Sequence, residues 1–186
     1  MIFLHDEDNV LMEKVKNGDK SAYETLVVKH RTKAINFAYS FISDLYESEA
    51  IVQECFAKVY INRMEYIPLN TFKTYLFAVI RNSCIDYLRK NKKNRKVNLN
   101  EISEIADNIS LEDSFIQTER MTKILKHLDN LPDDYKTALC LLAFDEMTYE
   151  QIAKVMQKSL PQVKVIIYRA RKKLKKLCEG DDIFEN

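Results

Sequence analysis

The sequence predicts an all-α fold of two helical domains joined by a flexible acidic linker, and three observations carry that prediction. In 186 residues glycine occurs twice and proline three times, so turns that need a positive φ are few and helices with short polar links are favoured. Lys, Leu, Ile, Glu and Ala recur at helical spacing through most of the chain. The apolar period fades for about twenty residues after Lys96 and returns near Phe115, a gap that reads as a tether. The length suffices for two bodies, each with a core.

The first helix is short, from about Asp8 to Lys16, and Asn17-Gly18 breaks it. Asp19 is placed to cap a second helix, in which Leu26, His30, Ala34, Phe37, Ala38 and Phe41 share a stripe. His30 reads as a packed core histidine rather than a metal ligand, because only His5 and His127 accompany it in the chain. A third helix runs from about Ser48 to Arg63 with Val52, Cys55, Phe56, Val59 and Tyr60 inward. "MEYIPLN" forms a loop around Pro68. The fourth helix, Thr71 to Lys90, sets Phe72, Tyr75, Leu76, Val79, Ile80, Ser83, Tyr87 and Leu88 on one side. Lys73, Arg81, Asn82, Asp86 and Arg89 lie on the other. Beyond the linker, helical signals pass through "RMTKILKHL", restart at "LPDDYKTALCLLAF" with Pro132 in the first turn, and resume at Thr148.

The net charge of +1 excludes little, but its distribution is uneven. Residues 81–96 hold seven basic residues and one acid, residues 97–119 hold only acids, and Lys154 to Lys176 is purely basic. Such segregation marks surfaces; solvated helix faces and a soluble linker are the plainer reading. Cys55, Cys84, Cys140 and Cys178 form no C-x-x-C pair, and neither a secretory pattern nor an apolar run near eighteen residues occurs. A reduced, cytoplasmic protein without membrane insertion is expected. No Gly-rich phosphate loop, metal-spaced cluster or Ser/His/Asp set is visible, so no enzyme, cofactor, metal or small-molecule substrate is expected.

The stretch "TYEQIAKVMQKSLPQVKVIIYRARKKLKKL" carries the sharpest signal. Thr148 and Gln151 form a capping box, "QKSL" turns the chain, and Ser159 caps a second helix that starts close to Pro161. In that helix Val163, Ile166, Ile167, Ala170, Leu174 and Leu177 make one apolar face. Gln162, Lys164, Arg169, Lys172, Lys173 and Lys176 make the other. Two helices, a tight turn and a cationic second helix fronted by an amide are the helix-turn-helix pattern. The major groove admits such a helix and phosphates favour its unpaired cations, so Gln162 suits a base edge and the Lys and Arg side chains suit the backbone. A cationic helix docked on an acidic protein surface is the alternative.

"LPDDYK", "TYEQIA" and "QVKVIIYRARKKL" resemble region 4 of the bacterial sigma-70 family, extracytoplasmic-function (ECF) branch. Gln157 stands where glycine is common there, and Pro161-Gln162 where Gly-Thr is common. "GDKSAYETLVVKH", "SEAIVQECFAKVY" and "FKTYLFAVIRNSCIDYLRK" resemble its region 2, with Ala50 at a usual acid and Tyr75 at a usual tryptophan. The resemblance implies a region 2-like domain over residues 1–96, a linker over 97–117 and a region 4-like helix-turn-helix domain over 118–186. It implies an RNA polymerase sigma factor that binds core RNA polymerase and promoter DNA, with an anti-sigma factor as a further partner. Implied −35 contacts are Thr148, Gln151, Ser159, Gln162, Lys164, Val165, Tyr168, Arg169, Arg171 and Lys172. Implied −10 contacts are Tyr66, Tyr75, Arg81, Asn82, Asp86, Arg89 and Lys92, with the "MEYIPLN" loop receiving a flipped base. Glu49, Gln53, Glu54 and Phe56 would meet the polymerase core. Phe56 also fits core packing, and Tyr66 also fits a partly buried loop tyrosine. Glu101, Glu104, Asp107, Glu112 and Asp113 suit either a cationic polymerase channel or a plain tether. A stand-alone helix-turn-helix regulator with a dimerising or sensing first body is the other functional reading.

Overall fold

The computed structural model describes residues 6–95, 124, 126–143 and 146–179, and every regular element among them is helical. Helix α1, Glu7–Lys16, has Glu7 and Asp8 in its first turn and Lys14 and Lys16 in its last, each sign at the pole that attracts it. Gly18 turns the chain at φ 91°. Asp19 caps α2, Lys20–Ile42, by accepting the Ala22 amide at 3.1 Å. Asp44 caps α3, Leu45–Ile61, by accepting the Glu47 amide at 3.0 Å, which starts the helix at Leu45 rather than near Ser48. A 3-10 turn, Arg63–Glu65, enters the loop, and α4, Phe72–Arg95, runs on past Lys90.

Leu26, Phe37, Phe72, Leu76, Phe77 and Ile80 are fully buried between these helices. Side chains of this size each contribute about 1.5–3 kcal/mol when buried. His30 is buried too, with Nε2 2.8 Å from Asp8 Oδ2, while Lys29 Nζ donates to Asp8 Oδ1 at 2.6 Å. Burial would raise the Asp8 pKa, but the bonds from His30 and Lys29 outweigh it and the net shift is downward. α1 is thereby pinned to α2.

In the second body residues 126–129 are helical. The Pro132 carbonyl accepts the Tyr135 and Lys136 amides at the start of α5, Asp133–Ala143. Helices α6, Tyr149–Met156, and α7, Leu160–Cys178, follow. Leu128, Leu141, Met147, Ile152, Val163, Ile167 and Ala170 make its core.

The bodies touch: α4 packs on α6, and α2 meets α5. Arg81 Nη2 donates to Asp134 Oδ1 at 3.1 Å, Lys158 Nζ lies 3.0 Å from Asp134 Oδ2, and Lys136 Nζ sits 5.6 Å from the Phe41 ring centre. All four cysteines are buried thiols, and burial pushes Cys84 up to about 12, so it packs as a hydrophobe. The acidic linker expected over 97–117, with Glu101, Glu104, Asp107, Glu112 and Asp113, lies outside the described residues, as does the helical start expected near Phe115.

Candidate nucleic-acid interface

The helix-turn-helix is built by two reciprocal caps. Thr148 Oγ1 accepts the Gln151 amide at 3.3 Å while Gln151 Oε1 accepts the Thr148 amide at 2.9 Å, which fixes the start of α6. Its end is closed by Gln157 in the left-handed region, φ 53°, with the Lys158 amide donating to Ala153 O at 2.9 Å. That conformation is the physical reason a glycine would serve here. Ser159 Oγ then accepts the Gln162 amide at 3.4 Å, and Gln162 Oε1 accepts the Ser159 amide at 2.8 Å. Pro161 sits in the first turn of α7, where its missing N–H costs nothing.

These caps revise part of the expected −35 set. Thr148, Gln151 and Ser159 use their side chains to hold the turn. Gln162 is exposed, yet its amide oxygen is committed to the box, so it cannot present a free donor–acceptor pair to a base without opening the cap. The rest of α7 keeps an open face: Lys164, Val165, Tyr168, Arg169, Arg171 and Lys172 are exposed, Tyr168 at 69%. Nine basic residues and no acid occur from Lys154 to Lys176. Tyr168 has Lys164 one turn before it and Arg171 and Lys172 one turn after, an aromatic among cations suited to a groove.

On the first body, Asn82, Asp86 and Arg89 are exposed on one ridge of α4, and Arg89 Nη1 lies 3.3 Å from Asp86 Oδ1. Tyr75 is half-buried one heptad earlier on that same ridge, not on the opposite side where the apolar spacing puts it. Its ring centre is 5.1 Å from that of Tyr66 in an edge-on contact, and burial raises its pKa. Two other residues do not fit the expected −10 role as placed. Tyr66 is 4% exposed, and its hydroxyl donates to Asn9 Oδ1 at 2.5 Å, so its ring is a loop anchor and not a stacking platform. The Arg81 side chain is 13% exposed and paired with Asp134, turned toward the second body. Lys92 lies on α4 with its side chain outside the described set.

The α3 residues expected to meet the polymerase flank a groove of ≈ 360 Å³ between α2 and α3. Tyr23, Val27 and Ile35 line one wall, and Glu49, Val52, Gln53, Phe56 and Ala57 the other. Gln53 and Glu54 are exposed and Glu49 is half-buried, while Arg31 Nη2 is 3.5 Å from Glu49 Oε1 at the rim. Phe56 is buried and therefore forms the groove floor and core, not a projecting anchor. Sequence periodicity missed Val28, which stands 80% exposed beside this groove on α2, and Asn9 behind the loop. A valine off the apolar stripe was the available signal for the first.

Residues 26–94 match the family Sigma-70 region 2, and residues 121–174 match Sigma-70, region 4. The chain is similar to the ECF RNA polymerase sigma factor SigM of Bacillus subtilis (strain 168), 32% identical over 141 residues, covering 76% of this chain and 85% of that protein. It is likewise similar to SigW of the same strain, 29% identical over 174 residues, covering 89% of this chain and 93% of that one. Among solved structures, CnrH in complex with the cytosolic domain of CnrY aligns with TM-score 0.74 at 22% identity, covering 95% of this chain and 99% of that chain. The sigma factor RpoE in complex with the anti-sigma factor NepR from Bartonella quintana aligns with TM-score 0.68 at 21% identity, covering 86% and 98%.

Proposed function

The chain belongs to the sigma-70 family, in its ECF branch, and on that premise we propose how its surfaces divide the work of an RNA polymerase sigma factor. The first body, residues 1–96, holds core polymerase through the α2–α3 groove, with Glu49 and Gln53 on its α3 wall and Glu54 exposed on the same helix. Asn82, Asp86 and Arg89 on α4, with the loop before it, read the melted −10 element. The second body, residues 118–186, lays α7 in the −35 major groove, where Lys164, Arg169, Arg171 and Lys172 hold phosphates and Val165 and Tyr168 touch base edges.

What carries the reading is α7: a helix with seven basic residues and no acid, started by a capping box and backed by a continuous apolar face. A stand-alone regulator is not favoured, because a region 2 match covers residues 26–94 of the first body. Two solved neighbours are complexes with another chain, in one case named an anti-sigma factor, and an inhibitory partner of that kind is part of the proposal here. The chain works in the cytoplasm and catalyses nothing itself; among the described residues no helix is long and apolar enough to cross a membrane.

Runoff transcription with purified core polymerase, with and without the chain, tests the proposal. A promoter-dependent product that appears only when the chain is added is expected. Tight, site-specific duplex binding without polymerase, and no product with it, would instead favour the regulator.

A further inference from the structure

We propose that Asn9 on α1 is a positioning residue for −10 reading, holding the loop between the 3-10 turn and α4 in its working shape. This rests on the assignment of that loop to the −10 element.

Asn9 is buried in the first turn of α1, in the stretch Glu7–Lys16 that precedes the region 2 match over 26–94. Its amide grips both ends of the loop tip. Oδ1 accepts the Tyr66 hydroxyl at 2.5 Å, and Nδ2 donates to the Asn70 carbonyl at 3.0 Å. Between these anchors the Leu69 amide donates to the Ile67 carbonyl at 2.8 Å, closing a tight turn over Pro68. With Tyr66 drawn inward, Ile67 and Leu69 each stand 67% exposed. Lys16 Nζ, from the last turn of α1, lies 5.7 Å from the Tyr66 ring centre. The neighbouring residue Asp8 ties the same helix to Lys29 and His30. Adjacent positions on a helix point about 100° apart, so α1 joins α2 on one side and the loop on the other.

Both ends of the loop tip are therefore tied to one side chain outside the loop. Removing that side chain strands a buried hydroxyl and a carbonyl, and frees the tip to sample other conformations. Single-strand capture by the tip should weaken even though the groove and α7 lie elsewhere.

The test uses holoenzyme assembled from core polymerase and the full chain. Single-stranded −10 probes carrying one base change each are measured beside a −35 duplex and the affinity for core. Asn9→Ala should weaken the −10 probes by about tenfold and flatten their base preference, with core and −35 affinities unchanged. Tyr66→Phe, which keeps the ring and the Asn70 bond, should flatten the same positions less. Asn9→Asp, which keeps the acceptor for Tyr66, should fall between them. Equal losses on all three ligands, or a folded Asn9→Ala and Tyr66→Phe with an unaltered −10 profile, would overturn the proposal. A wild-type holoenzyme with no −10 base preference would remove the loop assignment and this proposal together, and is distinguished by appearing before any substitution is made.

Discussion

Gln162 asks one amide to serve two ends. Its oxygen closes the capping box with Ser159 at 2.8 Å, while its place in the first turn of α7 puts it where a base edge would lie. Gln162→Glu separates these duties, because glutamate completes the same box and its charge suits a helix N-terminus. The thermal midpoint should hold or rise while base choice relaxes at one −35 position; an unchanged preference at every base would mean that the amide only caps. Arg169→Ala should act differently, weakening −35 binding across all sequences and lowering the slope of log affinity against log salt by about one. Asp8 makes a residue-scale prediction about acid stability. Its pKa in the folded chain lies below 3.8, so its contribution is complete above that value and is lost as pH falls through the folded pKa. Asp8→Asn should lower the thermal midpoint at neutral pH, and the gap to wild type should narrow below pH 3.8. A gap constant down to strongly acid pH would contradict the pairing with His30 and Lys29.

At the scale of elements, the caps decide most of what happens. Gln157 holds a left-handed conformation at the end of α6 without glycine's freedom, a strain of about 1–2 kcal/mol for an L-residue, offset in part by glycine's larger loss of freedom on folding. Gln157→Gly should therefore stabilise the chain by up to about 1 kcal/mol in denaturant melts, and a loss of similar size would show that the side chain stabilises the turn in another way. These caps were also the most legible feature of the sequence. Thr-x-x-Gln and Ser159 ahead of Pro161 each place a helix start, and Asp19 places α2, because a cap is local chemistry written within four residues. The start of α3 was read too late, although Asp44 with Glu47 three residues on carries the same kind of signal. The apolar stripes of α2, α4 and α7 were equally readable from spacing. What spacing cannot give is which way a loop side chain turns. Tyr66 fits either a base contact or a buried loop tyrosine by spacing, and it is packed against Tyr75 and Phe72 with its hydroxyl on Asn9, fifty-seven positions away in the chain. Arg81 is expected among the −10 contacts, and its partner Asp134 belongs to the other body.

For the whole molecule, Asp134 is one point where the bodies meet, since it receives Arg81 from α4 as well as Lys158 from the turn between α6 and α7. With the bodies packed in this way, Arg81 is held by Asp134 and withheld from solvent. Asp134→Ala should loosen the contact, raising the hydrodynamic radius of the free chain and freeing Arg81, so that affinity for a single-stranded −10 probe rises by about fivefold if the pair is worth about 1 kcal/mol. A chain equally compact and equally weak in binding would show that burial between α4 and α6, not this ion pair, sets the arrangement. The central claim is spatial: two surfaces of one chain read two separate promoter elements, and polymerase sets the distance between them. Photocrosslinking from Tyr168 on α7 and from Asn82 on α4, each replaced by a photoreactive residue, tests it most directly. In holoenzyme, Tyr168 should label only the −35 element and Asn82 only the −10 element, with neither pattern formed by the chain alone. Labelling of one shared site by both positions, or the same pattern without polymerase, would contradict it.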